Sequence, residues 1–360
     1  MCGINMNSFP YTSAMIKPVG GRCNLKCAYC YYTHHKGGTD KALGVCETTD
    51  FILDFARAAG RPVSIVFQGG EPLLAGIKYY EDVFSAIAES RVPAAFSVQT
   101  NGHLLTEDFC SLFKKYNVLT GISIDGPKEI NDKARPGSFE RTMGAVRLMQ
   151  KTGVDFNTVS VLAKHNYSET GGVYNFLKSE GCFYQQYITC FPDFYSKGWF
   201  LSGEELEGAL DTLFNLWKTD WKDVFIREFD DLLKASAGIP ASECMLGRQC
   251  AGALTLSSDL SLYYCDVPSV QKAFAGYYPC DLDKIAESRK CRDFIRRKSV
   301  FPQECRRCEW VSLCNNSCPE MRVSGLYRYC KAMKNFFEKN SAVLKMIAEQ
   351  ALRRKDLLRF

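Results

Sequence analysis

Short runs of apolar and β-branched residues recur through the first half of the chain. Between them lie longer segments whose apolar positions return every three to four residues. The runs are SAMIKPVG (13–20), VSIVFQGG (63–70), AAFSVQTNG (94–102), LTGISIDG (119–126), DFNTVSVL (155–162) and CFYQQYIT (182–189). They read as strands. The intervening segments, 48–59, 79–90, 106–116, 138–152 and 169–180, read as helices, several opened by cap-like residues such as Thr49 and Thr106. Alternation at this spacing predicts a parallel α/β sheet of about six strands, either an open wound sheet or a barrel.

Three of the strands finish alike. FQGGEP, QTNG and SIDGP each end an apolar run in glycine plus polar or acidic residues. In parallel α/β folds the functional loops sit at these carboxyl ends. Two further helical segments follow, 203–218 and 221–236. From Cys244 onward the periodicity gives way to closely spaced cysteines. The tail KAMKNFFEKNSAVLKMIAEQALRRK then predicts one closing amphipathic helix, with Met333, Phe336, Phe337, Val343 and Ile347 on or near one face.

Composition narrows the class. The 360 residues are 46% apolar, enough for a sizeable core, with no sign of disorder. A net charge of +5, from 45 basic and 40 acidic residues, is too mild to point to a nucleic-acid partner. The amino-terminal stretch lacks the continuous apolar region of a secretory signal, and no apolar run is long enough to span a bilayer. A soluble, cytoplasmic protein is expected.

Eighteen cysteines then need a reason. Their short C-x2-C and C-x3-C spacings suit a metal better than a disulfide. With only four histidines (His34, His35, His103, His165), none in the later cysteine-rich region, Cys2His2 zinc fingers are excluded. All-cysteine zinc sites and iron–sulfur clusters both remain open. Cys23, Cys27 and Cys30 stand directly after the first strand, in GRCNLKCAYCYY, with no fourth cysteine nearby. Three thiolates on a four-iron cube leave one iron open to a small molecule; a zinc site with a distant fourth ligand is the competing reading.

The C-x3-C-x2-C spacing with Tyr29 before its last cysteine resembles the signature of the radical S-adenosylmethionine (radical SAM) superfamily. GGEP at 69–72 is similar to that superfamily's motif for the methionine end of the cofactor. The resemblance implies a partial (β/α)6 barrel, in agreement with the strand count. It also implies a 4Fe–4S cluster on Cys23, Cys27 and Cys30, whose open iron is chelated by S-adenosylmethionine. Reductive cleavage of that cofactor yields a 5′-deoxyadenosyl radical, which abstracts hydrogen from substrate. Tyr29, Gly69, Gly70, Glu71 and Pro72 are then expected around the cofactor, the glycines allowing close backbone approach and Glu71 offering a carboxylate. By the same resemblance Ser123, Asp125 and Arg135 are candidates for ribose and carboxylate contacts.

Cys244, Cys250, Cys265, Cys305, Cys308, Cys314, Cys318 and Cys330 make up two complete four-thiolate sites. Pairing cannot be read from spacing. The spacing is similar to the SPASM extension of peptide-modifying radical SAM enzymes, which carries two auxiliary 4Fe–4S clusters. That family pattern implies Cys244, Cys250, Cys265 and Cys318 on one cluster, and Cys305, Cys308, Cys314 and Cys330 on the other. The implied division is residues 1–236 for the barrel and following helices, 237–335 for SPASM and 336–360 for the closing helix. Of the remaining cysteines, at 2, 46, 110, 182, 190, 280 and 291, Cys110 and Cys182 read as small core residues.

FQGGEPLLAG, QTNG, GISIDGPKEIND, QQYITC, IREFDDLL and YYCD recur in similar form and order in anaerobic sulfatase-maturating enzymes, which oxidise a sulfatase Cys or Ser to Cα-formylglycine. This resemblance covers about residues 13 to 335. It implies that Asp266, directly after Cys265, is a general base, because the substrate thiol or hydroxyl must lose a proton as it is oxidised. It also places Tyr32 and Gln68 in the substrate pocket. The Cys318–Cys330 segment is shorter than is typical, and 266–304 follows the family only loosely, which bears on the substrate rather than the reaction.

The expected partners are a sulfatase-like peptide or protein and a low-potential electron donor such as flavodoxin or ferredoxin, with no nucleic acid and no membrane. The alternatives are a related enzyme that crosslinks or epimerises a ribosomal peptide, and a non-catalytic zinc module. Because the first strand begins near residue 13, no amino-terminal peptide-recognition domain is expected, which favours the maturase reading.

Overall fold

Every predicted alternation becomes a strand followed by a helix. In the computed structural model, which describes residues 9–30, 32, 41–192, 198–266 and 273–354, the order is β1 (Ser13–Lys17), α1 (Val45–Ala59), β2 (Val63–Phe67), α2 (Ile77–Ser90), β3 (Ala94–Thr100), α3 (Glu107–Lys115), β4 (Leu119–Ser123), α4 (Lys128–Ala134), α5 (Phe139–Thr152), β5 (Phe156–Leu162), α6 (Thr170–Ser179) and β6 (Tyr184–Thr189). Cys2, His34 and His35 lie outside the described residues. Strands β1 to β6 are parallel and adjacent in chain order, forming a partial (β/α) barrel.

The two faces of the sheet differ in kind. Ala14, Ile16, Ile65, Phe67, Phe96, Val98 and Ile122 are buried, and Phe51 and Phe55 of α1 and Phe84 of α2 share their core. The alternate positions in register, Met15 with Val66, Val66 with Ser97, and Gln99 with Gly121, form the other face and are mostly only half-buried. Successive strand residues point to opposite faces. Apolar side chains therefore pack outward under the helices, while Ser, Gln and Lys side chains look into the barrel.

The helix boundaries follow local chemistry. Thr106 caps α3, its hydroxyl accepting from the Phe109 N–H at 3.3 Å, with Glu107 and Asp108 in the first turn and Lys114 and Lys115 in the last. Thr49 does not cap α1. That helix starts at Val45 after Gly44, which leaves Thr49 inside it. Helix α7 (Gly203–Asp220) opens with a capping box between Ser202 and Glu205.

The segment expected as one helix at 221–236 is instead a turn, the two-residue strand β7 (Phe225–Ile226) and helix α8 (Arg227–Ser236). The Phe225 N–H finds the Phe183 carbonyl at 2.8 Å, so the apolar pair extends the sheet past β6 rather than continuing a helix. The opposite edge holds a larger addition that the alternation did not predict. β8 (Leu254–Ser257) runs parallel to β1, and β9 (Ser261–Tyr263) and β10 (Phe274–Tyr277) follow antiparallel, giving the order β10-β9-β8-β1-β2-β3-β4-β5-β6-β7. The cysteine-rich region is thus continuous with the barrel sheet through β1.

The terminal helix spans Cys330–Arg353 and packs on α7 and α8. Phe336 meets Phe214 at 5.4 Å between ring centroids and Phe229 at 6.1 Å, and Phe337 and Ile347 are buried with it. Cys110, Cys182, Cys190 and Cys291 are buried core residues.

Candidate active site

The cysteine loop after β1 is fastened by backbone hydrogen bonds rather than by regular structure. The Gly20 N–H donates to the Lys17 carbonyl (3.1 Å), Arg22 to Val19 (3.2 Å) and Ala28 to Ala134 at the end of α4 (2.8 Å). From the turn after β2, Gly70 donates to Gly20 (2.9 Å) and Glu71 to Arg22 (2.8 Å). This contact explains the two glycines. A Cβ on Gly70 would lie 2.0 Å from the Arg22 carbonyl oxygen, and one on Gly69, at φ +137°, would lie 2.7 Å from that of Gly20. Here the close approach that glycine permits is of one loop to the other.

Glu71 is fully buried. Its Oε1 accepts from Thr100 Oγ1 at 2.7 Å and the Leu73 N–H at 3.1 Å, and its Oε2 accepts from the Asn101 N–H at 2.8 Å. Burial pushes its carboxyl up, while these hydrogen bonds pull the other way. The carboxylate that the resemblance implies for a ligand also locks together the carboxyl ends of β2 and β3. Pro72 follows as the buried first residue of a single 3-10 turn.

Cys23, Cys27 and Cys30 are brought together at this junction, all half-buried and reduced. The Leu25 N–H lies 3.4 Å from the Cys23 sulfur, and Asn101 Nδ2 lies 3.8 Å from it. Burial pushes the Cys27 thiol up to about 11; the Arg135 guanidinium opposes this, and the charges of Cys30, Asp125 and Cys23 add to it. Burial likewise raises Cys23. Mutually repelling thiols raised in this way become thiolates when a cationic centre is supplied, so the donor set fits an iron–sulfur cluster.

Beside the thiols lies a buried polar network. Tyr29 Oη donates to Asp125 Oδ2 (2.6 Å) and accepts from Arg135 Nη1 (3.2 Å). His165 Nε2 meets the same Oδ2 at 3.3 Å, while Asp125 Oδ1 accepts from the Val161 N–H at 2.9 Å. The Tyr29 ring stacks on His165 at 5.7 Å, with Trp199 edge-on to both. Burial would raise the Asp125 carboxyl, yet the hydrogen bond from His165, the Arg135 guanidinium and the Tyr29 hydroxyl outweigh it and hold it low. Among the described residues, Arg135 Nε and His165 Nδ1 are buried with no hydrogen-bond partner, as polar atoms awaiting a ligand would be. Ser123 ends β4 on the barrel's inner face and accepts from Gln99 Nε2 at 2.9 Å.

Asp266 meets the barrel at the end of β1. The Tyr32 hydroxyl donates to its Oδ1, and Lys17 Nζ forms an ion pair with the same oxygen. The Lys17 ammonium also lies 4.4 Å from the centre of the Tyr32 ring. Gln68, one position past β2, donates its backbone N–H to Ile16 at 3.0 Å, beside Lys17. The structure therefore gathers Asp266, Tyr32 and the Gln68 backbone at one rim of the barrel. It gathers Tyr29, Asp125 and Arg135 together by the first cysteines.

The later cysteines fall into two neighbourhoods. Cys305, Cys308, Cys314 and Cys330 line one pocket with Trp310, Tyr327 and Phe337. The Cys244, Cys250 and Cys318 thiols feel one another's charge amid the cations Arg297, Lys298 and Arg322, and Arg297 also faces Cys265. Burial pushes Cys244 and Cys314 up to about 11. Lys298 Nζ donates to the Cys244 and Met245 carbonyls and so anchors that loop. Among the described residues, no three His, Cys, Asp or Glu side chains converge as a single metal ion requires. A cluster gives each thiolate its own iron and takes a wider set.

Sequence reasoning missed Lys17, Gln99, Asn101 and the role of His165 in the Tyr29–Asp125 network. The polar ends of β3 and the lone histidine were visible. Lys17 gave no local signal, because its partner comes from the far end of the chain.

The profile of the radical SAM superfamily matches residues 18–177. A cysteine-type anaerobic sulfatase-maturating enzyme of Clostridium novyi is 30% identical, covering 94% of this chain and 97% of that protein. A serine-type enzyme of the same kind from Bacteroides thetaiotaomicron is 29% identical, covering 90% and 88%. The structure of native anSMEcpe with bound AdoMet and Cp18Cys peptide superposes with a TM-score of 0.86 at 28% identity, covering 94% of this chain and 99% of that one.

Proposed function

This chain belongs to the radical SAM superfamily and, within it, to the anaerobic sulfatase-maturating enzymes, and from that membership we propose a division of labour among its residues. The protein is a radical SAM oxidoreductase that binds S-adenosylmethionine and converts a Cys or Ser of a peptide substrate to Cα-formylglycine. When bound, the iron–sulfur clusters and S-adenosylmethionine supply the radical that removes a Cβ hydrogen and the acceptor for the second electron.

In this proposal Cys23, Cys27 and Cys30 hold the first cluster. Gly69, Gly70, Glu71 and Pro72 shape the methionine end of the cofactor site. Tyr29, Ser123, Asp125 and Arg135 face its ribose and carboxylate, with the unpartnered Arg135 Nε ready for an anionic oxygen. Cys244, Cys250, Cys265 and Cys318 hold one auxiliary 4Fe–4S cluster. Cys305, Cys308, Cys314 and Cys330 hold the other, for three in all. A flavodoxin- or ferredoxin-like donor supplies the reducing electron. No helix among the described residues is long and apolar enough to cross a membrane.

Asp266 takes the proton from the substrate Sγ or Oγ as the carbon loses its second electron, leaving C=S or C=O. A thioaldehyde is then hydrolysed to the aldehyde with release of hydrogen sulfide. The observation that carries this assignment is the Asp266 carboxylate at the rim of the barrel, between Tyr32 and Lys17 and one residue from Cys265. Tyr32 and Gln68 border the substrate.

The test is mass spectrometry of Cys- and Ser-containing sulfatase-motif peptides incubated anaerobically with reconstituted protein, reductant and S-adenosylmethionine. Wild type is expected to give aldehyde. Asp266→Asn is expected to give roughly 100- to 10,000-fold less, the usual span of general-base catalysis. Deoxyadenosine without any change in the peptides would retain the radical chemistry and reject the substrate.

A further inference from the structure

Lys17 occupies a position that the reaction as described does not use. It is the last residue of β1, and its register partner is Ser257 on β8, at the seam between the barrel and the cysteine-rich region. Its carbonyl accepts from the Gly20 N–H at 3.1 Å, which begins the turn leading to Cys23. Its stem passes beside Gly69, where a Cβ would lie 3.4 Å from Lys17 Cβ and 3.5 Å from Cγ. The ammonium ends on Asp266 Oδ1, with the Tyr32 ring 4.4 Å away. Only 12% of the lysine side chain and 15% of the aspartate side chain are exposed.

A carboxylate this sheltered needs a partner to stay in place, because an unpaired charge loses solvation that nothing returns. The flexible stem of lysine ordinarily costs entropy to order. Here the strand end, the glycine turn and the tyrosine ring confine it. One residue is therefore tied through its backbone to the loop where hydrogen abstraction is prepared, and through its side chain to the group assigned to proton removal.

We propose that Lys17 is a positioning residue for the second half of the oxidation: its ammonium holds the Asp266 carboxylate at the barrel rim, so that proton removal keeps pace with hydrogen abstraction. This rests on the assignment of Asp266 as the base. In this role Lys17 acts through the aspartate rather than on the substrate carbon or the cofactor. A carboxylate displaced by about 1 Å loses on the order of a hundredfold in a positioned reaction.

The experiment uses the full chain with its clusters reconstituted, and measures 5′-deoxyadenosine and peptide aldehyde in the same anaerobic incubation. Lys17→Met is expected to retain wild-type iron content, cluster absorbance and deoxyadenosine formation. Its aldehyde per deoxyadenosine should fall roughly ten- to a hundredfold. Lys17→Gln should behave alike, and Lys17→Arg, which keeps a cation in reach, should recover most of the ratio. The double variant Lys17→Met/Asp266→Asn should be no worse than Asp266→Asn, because residues acting as a unit are not additive.

A wild-type ratio in Lys17→Met and Lys17→Gln overturns the proposal. Parallel loss of iron, deoxyadenosine and aldehyde in both variants also overturns it, because the lysine would then be a strut for the cysteine loop. If Asp266→Asn itself keeps the wild-type ratio, the base assignment fails and this inference fails with it. If Asp266→Asn uncouples while the Lys17 variants do not, only the inference about Lys17 fails.

Discussion

The barrel and the cysteine-rich region reach order by different routes. In the barrel, apolar strands and helices of about two to four turns close on one another, and a polar site residue such as Glu71 finds protein partners in Thr100, Leu73 and Asn101. Between Cys244 and Cys330 the regular elements dwindle to pieces such as Gln303–Arg306, Val311–Cys314 and the pair Arg322–Val323 with Leu326–Tyr327. What fills this region is thiols and cations: Arg322 alone spans the carbonyls of Asn316, Ser317 and Lys298. The barrel stands on burial and backbone pairing, whereas on the proposed reading the appendage leans on the clusters its thiols would hold. An active site placed between them would then take a self-supporting half from one and a ligand-dependent half from the other.

Removing the iron is the largest challenge to that contrast. A structural zinc holds a zinc-finger peptide by about 10–16 kcal/mol, and its removal unfolds the peptide, because a site that only the folded chain can make couples binding to folding. In the iron-free protein, amides of residues 298–330 are therefore expected to exchange with deuterium on the order of a thousandfold faster or more, while β2 to β5 keep their protection. Uniform protection throughout would break the comparison.

Phe336→Ala probes the joint between the two regions. Phe336 is fully buried against Phe214 and Phe229, so its truncation is expected to cost about 3–5 kcal/mol, read as a lower denaturation midpoint. A loss confined to the cysteine-rich region, with α7 and α8 unaffected, would show that the terminal helix belongs to the appendage alone.

The smallest effect concerns the thiols of the rigid half. Cys27 is raised to about 11, so below that pH it is neutral and each unit of rise gives tenfold more thiolate. Alkylation of Cys27 in iron-free protein, followed by mass spectrometry, should climb about tenfold per unit between pH 7 and 10 without a plateau. A plateau setting in near pH 9 would mean that the loop relaxes once empty, and that the barrel is less self-sufficient than its packing suggests.

Much of the site was legible because both the cluster spacing and the glycine turn are local. Cys23, Cys27 and Cys30 fall within one loop, and Gly69 to Pro72 follow one strand. Thr49 misled because a polar β-branched residue is tolerated inside a helix as well as before it, and Gly44 had already opened the helix one turn earlier. The 221–236 segment misled because Phe225 and Ile226 join a sheet edge that no periodicity announces. Glu71 was visible as an acid but not as a clamp, since two of its three donors, Thr100 Oγ1 and the Asn101 N–H, come from the end of the next strand.

The alternation of strands and helices, the cap of α3, the apolar stripe of the closing helix and the thiol spacings are all written in the order of residues along the chain. Each depends on residues a few positions apart, where sterics, hydrogen bonding and ligand reach are local. Folding alone sets β8 beside β1, brings Lys17 and Tyr32 to Asp266, and joins His165, Asp125, Tyr29 and Arg135 in one network. Those pairings join distant parts of the chain, and which partner a buried charge finds is settled by how the whole sheet closes.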